Sequence, residues 1–521
     1  MKLNLESVLS RPADWERAGV KLPKFDVKAV RERTLAAPEW VHFGAGNIFR
    51  AFLGAVDQRL LNQGLADTGI CVFEGFDTEI IEKAYRPFDE LSVGVTLIGT
   101  GSVKKEVIAS VAESLTMADN QRMEEIFTSP SLKMASFTIT EKGYAIAFAK
   151  KDAEGKPEDA KGLMGYLTRL LIKRYQAGGL PVALVSMDNC SHNGEKLQNA
   201  VMFVAKSWLG NAHVDEGFIN YLETKVTFPW SMIDKITPRP DANVMRLLEE
   251  DGFEDAGLII TSRNTYTSAF VNAEEKEYLV IEDAFPNGRV PLDKAGIYFA
   301  DRETVEKVER MKVTTCLNPL HTCLAVFGCL LNYETIWKEM NDADLKRLVY
   351  RIGYREGLPV VTDPGIMKPE TFLEEVLTAR LPNCFLPDTP QRIATDTSQK
   401  LSIRFGETIK EYIKRGMDLS VLKGITLVEA GWLRYLMGVD DSGKEMTPSP
   451  DPRLEEMKTR LAGVSYGDNS RADEVLPGIL SDETIFGVDL MKTGLGKGVI
   501  AAFKQMNSGE GQVRRAISEI A

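Results

Sequence analysis

The chain has 521 residues, more than one hydrophobic core usually supports, so two domains are expected. Hydrophobic residues make up 44% and charged residues 26%, the profile of an ordinary soluble globular enzyme. The net charge of −12 argues against a nucleic-acid partner, which would need a concentrated basic face, but leaves room for an anionic small molecule held by a few local cations.

In chain order, residues 1–36 read as a short polar, helical lead-in. Trp40-Val-His-Phe43 reads as a strand entering Gly44-Ala-Gly46, and Ile48, Phe49, Phe52, Leu53, Val56, Leu60 and Leu61 then mark one face of a helix. Gly64 and Gly69 bracket the turn into a second strand, Ile70–Phe73. Strand, glycine turn, helix and strand together predict parallel strands in a covered sheet. Further strand-like runs lie at Leu91–Leu97, Met134–Thr140, Val182–Ser186, Leu258–Thr261 and Leu279–Ile281. From about Val305 the pattern changes to long amphipathic stretches, Thr335–Ile352, Pro369–Ala379, Ser402–Arg415 and Ile425–Met437. The turn-rich Phe285–Pro291 is the expected crossing, and proline-rich Asp440–Arg453 reads as a surface loop. The fold class is therefore a doubly wound α/β Rossmann-type domain over residues 1–300, followed by a mostly α-helical domain over 301–521.

Gly44-x-Gly46 at a strand-to-helix turn suits a pyrophosphate, because the glycines let the backbone approach and the helix start supplies unpaired N–H groups. The third glycine of the usual fingerprint is absent, with Phe49 and Arg50 at that point. Glu74 and Asp77 follow the second strand, where an acid accepts from the adenosine ribose hydroxyls and repels a 2′-phosphate, favouring NAD over NADP. Lys312-Val-Thr-Thr-Cys-Leu-Asn318-Pro-Leu-His321 gathers an amine, an amide and an imidazole at the mouth of the apolar run Leu320–Leu331. Desolvation of a lysine there favours the neutral amine that a general base needs, and Asn318 and His321 are placed to polarise a reacting oxygen. The plainer reading makes Asn318 a helix N-cap, Pro319 the first helical residue and His321 a surface group. The six cysteines are scattered without a C-x-x-C and read as reduced core residues. No His, Cys or Asp spacing resembles a metal site. The N-terminus shows no leader-like apolar core and no stretch approaches 18 apolar residues, so a cytoplasmic location without membrane contact is expected.

Six segments in order, Val41–Ala51, Ser136–Tyr144, Ser186–Gly194, Phe228–Pro238, Val280–Asp283 and Lys312–His321, together resemble the mannitol dehydrogenase family of long-chain polyol and sugar-acid dehydrogenases. The resemblance implies a Rossmann-type domain, a helical domain, a substrate cleft between them, and metal-independent hydride transfer between NAD(H) and a secondary alcohol or ketone of an acyclic sugar derivative. It makes Lys312 the general acid–base, with Asn318 and His321 as the polarising pair. It assigns Asn189, Asp234, Arg392 and Lys400 to the substrate, and Gly44, Gly46, Asn47, Ile48, Glu74, Asp77, Thr140 and Glu141 to the cofactor. The family usually has four residues between lysine and asparagine where this chain has five, and Asn-Gly where this chain has Asn318-Pro319. A break at Asn318 is the expected way to absorb the extra residue.

Arg392, Lys400 and Arg404, added to Lys312, carry more positive charge than a neutral polyol requires. A keto sugar acid and its aldonate, of the D-fructuronate/D-mannonate type, is therefore the expected substrate pair, with mannitol/fructose or tagaturonate as alternatives. A non-catalytic NAD-binding regulator on the same scaffold is the reading from a different class, and retention of lysine, asparagine and histidine speaks against it. A monomer or small homo-oligomer acting on a small molecule completes the expectation.

Overall fold

A computed structural model describes residues 1–99 and 101–520. The chain divides into two compact units, Met1–Glu306 and Lys307–Ala521.

The N-terminal unit is organised by six parallel strands: β1 (Trp40–Phe43), β2 (Ile70–Glu74), β3 (Val111–Thr116), β4 (Met134–Phe137), β5 (Val182–Ser186) and β6 (Val226–Thr227). Their order across the sheet is β3-β2-β1-β4-β5-β6, the doubly wound order in which ligands lie beyond the carboxyl ends of β1 and β4, where the winding reverses. Every residue of β1 and β2 is buried, as expected when both faces of a parallel sheet are covered. Val41 and Phe43 enter one core with Cys71 and Phe73, while Trp40 enters the other with Ile70 and Val72. His42 sits among these apolar groups, bridging Ser136 Oγ at 2.7 Å and Thr138 Oγ1 at 2.8 Å, and burial pushes its pKa down to about 3. It is a neutral structural imidazole.

The link from β1 to β2 is a π-helical turn, Phe49–Leu53, running into helix α1 (Gly54–Asn62). Three of the expected strands lie outside this sheet, among them Leu279–Ile281, which pairs antiparallel with Ser231–Asp234 and parallel with Tyr298–Ala300. Ser92–Leu97 belongs to a separate four-stranded sheet, antiparallel to Val103–Ile108 and parallel to Phe270–Glu274. Leu258–Thr261 reduces to a short hairpin in which Ile259–Ile260 pairs with Tyr266–Thr267. Met134–Thr140 stops at Phe137, because the chain turns sharply at Thr140.

All described strands lie in the N-terminal unit, and Lys307–Ala521 is built of helices. Helix α2 (Arg302–Met311) leads into a π turn, Lys312–Cys316, and then α3 (Asn318–Leu330), almost all of whose residues are buried. Helix α4 (Lys423–Leu436) crosses close to α3 at Gly431, where a Cβ would lie 2.8 Å from the Phe327 ring. The run Arg302–Leu330 is, by length and composition, apolar enough to cross a membrane, against the expectation that no such stretch occurs, but it is mostly buried in the protein interior. Thr335–Ile352 breaks into Ile336–Glu339 and Ala343–Tyr350, because Asp342 caps the second helix by accepting from Asp344 and Leu345 N–H. Asp440–Arg453 is an irregular loop with exposed residues such as Ser442–Glu445, as its composition suggests, but Asp440, Asp441 and Ser449 within it are buried. Asp440 accepts from Ser442 and Lys444 N–H, and Asp441 accepts from Val513 N–H at 2.8 Å, so these acids organise the loop rather than solvate it. All six cysteines are free thiols.

Candidate active site

In the N-terminal unit the glycine turn after β1 offers backbone to a ligand. Gly44 holds φ +110° and donates its N–H to Phe73 O at 2.8 Å. A Cβ on Gly44 would lie 2.3 Å from Thr138 O, so only glycine fits between β1 and β4 here. Gly46 has nothing within 4 Å of the place a Cβ would occupy, leaving open space above the loop. A strand-to-helix turn with bare backbone facing open space has the form of a pyrophosphate cradle, so the residues fit a dinucleotide. Asn47 and Ile48 follow at the start of the helix, and the Asn47 carboxamide accepts from Arg50 at 3.0 Å. Arg50 is buried and also donates to Ser268 O and Thr267 Oγ1, each at 2.7 Å.

The acids at the end of β2 face inward. Glu74 Oε2 accepts from Ala45 N–H at 2.9 Å, and Oε1 accepts from Phe76 and Asp77 N–H at 2.8 and 3.1 Å. Asp77 Oδ2 accepts from the Thr261 and Thr265 hydroxyls at 2.7 and 2.5 Å. Beyond β4, Thr140 adopts φ +64° and ψ 158°, a conformation that is otherwise almost confined to glycine. Asp188 over-determines it, accepting from Thr140 and Ile139 N–H at 2.9 Å each and from the Tyr144 hydroxyl at 2.5 Å. Glu141 is exposed and pairs with Lys196 at 2.7 Å. Asn189 is an exposed residue just after β5, and Asp234 is buried at the end of strand Ser231–Asp234. Asp188 lay inside a segment already noticed in the sequence, but only the local backbone reveals what it holds.

In the C-terminal unit the candidate groups are side chains. Lys312 is 3% exposed and opens the π turn, in which Leu317 N–H reaches back to Lys312 O at 3.1 Å. The break in the helix falls at Leu317 (φ −130°, ψ −61°), one residue before the position expected from the proline. Pro319 has no N–H to give to the carbonyl four residues back, and the wider turn before it takes up the additional residue. Because Leu317 occupies the cap position, Asn318 is helical and is not the N-cap of the plainer reading.

One turn further, His321 Nε2 lies 3.4 Å from Asp388 Oδ2, and Asp388 in turn pairs with Arg392. His321 is held below its ordinary pKa chiefly by burial, which outweighs attraction from Asp388 and is reinforced by Arg380 and Arg404. Burial works against ionisation of Asp388, but His321 and Arg392 keep its carboxyl below the usual range. Arg404, on another π turn (Ser402–Gly406), donates to Thr322 Oγ1 at 2.5 Å, which places it beside His321 on α3. Lys400 Nζ donates to the carbonyls of Ile393 and Thr395, and burial together with Arg404 pushes its pKa down to about 8. His321, Asp388, Arg380 and Asn383 line one small cavity with Trp337. The structure thus gathers Asp388, Arg380 and Arg404 around His321 and pairs Arg392 with Asp388; sequence reasoning missed Asp388 and Arg380, which no motif carried. No group of three or more His, Cys, Asp or Glu side chains suited to a metal occurs among the described residues.

Two family models match: the mannitol dehydrogenase Rossmann domain over residues 38–294 and the mannitol dehydrogenase C-terminal domain over residues 304–507. The chain is 50% identical to D-mannonate oxidoreductase of Thermotoga maritima, over all of this chain and 99% of that protein. Among solved structures it is similar to D-sorbitol dehydrogenase in substrate-free form, with TM-score 0.82, 26% identity and 99% and 100% of the two chains covered. It is also similar to the ternary complex of Pseudomonas fluorescens mannitol 2-dehydrogenase with NAD and D-mannitol, with TM-score 0.71, 25% identity and 100% and 99% covered. The two models account for most of the sequence and fall one in each compact unit, and on these grounds the chain belongs to the mannitol dehydrogenase family.

Proposed function

We propose that this chain is an NAD-dependent oxidoreductase that interconverts a keto sugar acid and its aldonate, of the D-fructuronate/D-mannonate type. The observation that carries the reading is full-length identity of 50% to a D-mannonate oxidoreductase. The cluster of Arg380, Arg392, Lys400 and Arg404 near His321 supports it, since a carboxylate-bearing sugar has use for such cations and a neutral polyol does not.

In the proposed reaction Lys312 takes the proton of the reacting hydroxyl during oxidation and returns it to the oxygen during reduction. Asn318 and His321 donate hydrogen bonds to that oxygen as it becomes alkoxide-like. NAD(H), when bound, takes or supplies the hydride. Gly44, Gly46, Asn47 and Ile48 hold its pyrophosphate, Glu74 and Asp77 shape the adenosine end, and Thr140 and Glu141 follow β4. Asn189 and Asp234 carry over as contacts to substrate hydroxyls, with Arg392 and Lys400 as contacts to the carboxylate. The free thiols fit a reducing, cytoplasmic setting, and a monomer or small homo-oligomer needs no other partner.

The test is NADH oxidation followed by absorbance, with fructuronate, tagaturonate and fructose compared side by side. Turnover highest with fructuronate, and retained after exhaustive chelation, is expected. A preference for fructose would move the assignment to the mannitol 2-dehydrogenases, and NADH binding without any turnover would return the regulator.

A further inference from the structure

Phe76 is 72% exposed, the most exposed large apolar side chain among the described residues. It stands two residues past the end of β2, on the side of the switch point where a doubly wound sheet receives the adenosine half of a dinucleotide. Its loop is fixed by Glu74, which accepts from Phe76 and Asp77 N–H while also gripping Ala45 N–H in the glycine turn. The guanidinium of Arg263 lies over the Phe76 ring, 4.3 Å from its centroid.

Arg263 arrives from far along the chain, on the turn of the Ile259–Thr267 hairpin, and that turn is tied to the same loop. Asp77 accepts from Thr261 and Thr265 on either side of Arg263, and Glu79 accepts from Ser262 N–H at 3.2 Å. Asn264, at φ +60°, closes the turn. Arg50, whose helix opens at the glycine turn, grips the far end of the hairpin through Thr267. Buried acids and a buried arginine thus hold in place a phenylalanine and an arginine that are themselves exposed. A surface cation–π pair gives little in return for such bracing. An aromatic face and a guanidinium plane are, however, the two surfaces on which a nucleobase stacks.

We propose that Phe76 and Arg263 form an adenosine clamp: the adenine of the dinucleotide stacks on this pair, and the hairpin serves as the strap that carries Arg263 to it. The clamp rests on the reading that the chain binds NAD, and it assigns Asp77 a positioning role through Thr261 and Thr265.

Calorimetric titration of the full-length protein with NADH, ADP-ribose and nicotinamide mononucleotide tests it. Phe76→Ala and Arg263→Ala should each weaken NADH and ADP-ribose alike, by roughly 5- to 100-fold, and leave nicotinamide mononucleotide unchanged. Phe76→Trp should restore ADP-ribose affinity. Both side chains are exposed, so the circular dichroism of the variants should match the wild type. Wild-type ADP-ribose affinity in both alanine variants would overturn the clamp alone. A wild-type protein that bound neither NADH nor ADP-ribose would overturn the dinucleotide reading and the clamp with it.

Discussion

In the N-terminal unit the groups proposed to cradle the pyrophosphate are main chain, at Gly44 and Gly46, whereas in the C-terminal unit the groups proposed to react are side chains borne on helices interrupted by π turns. The difference sets what each half can tolerate. A main-chain cradle fails when a Cβ is added, because the space between strands is fixed by the sheet register. Truncating a side chain in the C-terminal cluster adds no atom to the main chain's surroundings, so its first effect is on the chemistry that side chain carries. Single substitutions should therefore separate binding and folding defects in one unit from turnover defects in the other.

The largest effect is expected at Lys312. Lys312→Ala should lower kcat by a factor on the order of 10²–10⁴, with the NADH dissociation constant near that of the wild type by fluorescence titration. Asn318→Ala and His321→Ala should slow turnover less. A Lys312→Ala protein with most of its activity and an unchanged pH profile would show that the proton is handled elsewhere.

Gly44→Ala sharpens the contrast from the other side. Its Cβ would meet Thr138 O at 2.3 Å with φ at +110°, so the melting temperature and the NADH affinity should fall together. Gly46→Ala meets nothing within 4 Å and should leave the melting temperature unchanged while weakening NADH. Equal melting temperatures for the two variants would remove the distinction.

A third expectation concerns the C-terminal core. Glu429 on α4 is fully buried with neither carboxylate oxygen hydrogen-bonded, and burial raises its pKa from the ordinary 4.5 to about 8. Below pH 4.5 both folded and unfolded chains hold this proton. Between 4.5 and 8 the unfolded chain releases it while the folded chain retains it, so stability falls by about 1.4 kcal/mol per pH unit from this group. Glu429→Gln removes the ionisation, so its advantage in melting temperature over the wild type should widen from pH 5 to pH 8. A constant difference would mean that Glu429 does not stay protonated in the fold.

The smallest effect belongs to Lys400. With its pKa near 8 the ammonium is lost on mild alkalinisation, so KM for a keto sugar acid should rise roughly 2- to 5-fold from pH 7 to pH 9. Lys400→Arg should flatten that rise. A neutral sugar as substrate should show no such dependence.

Much of the sheet was legible because buried parallel strands leave continuous apolar runs, as at Trp40–Phe43 and Val182–Ser186. Strand β3 escaped notice because it is an edge strand carrying Glu113 and Ser114 among its apolar residues. The candidate residues that share a motif, such as Lys312, Asn318 and His321, could be named from the chain. Asp388, Arg380 and Asp188 could not, since each acts through a neighbour supplied by tertiary packing. Within the Asp440–Arg453 loop the burial of Asp440 and Asp441 was not legible, because acids that satisfy backbone N–H groups look, in composition, like acids in water.

The π turns have no signature in residue type, and the described residues hold five of them, at Phe49–Leu53, Lys312–Cys316, Arg351–Gly357, Val376–Arg380 and Ser402–Gly406. A π turn is a surplus residue carried inside a helix that otherwise continues. At Lys312–Cys316 the wider turn and the break at Leu317 take up that residue locally, so the flanking residues need not change the faces they present. The length of the segment between the amine and the amide–imidazole pair is thus a tolerance of the fold. A residue can be gained or lost there while each group proposed to react keeps its direction.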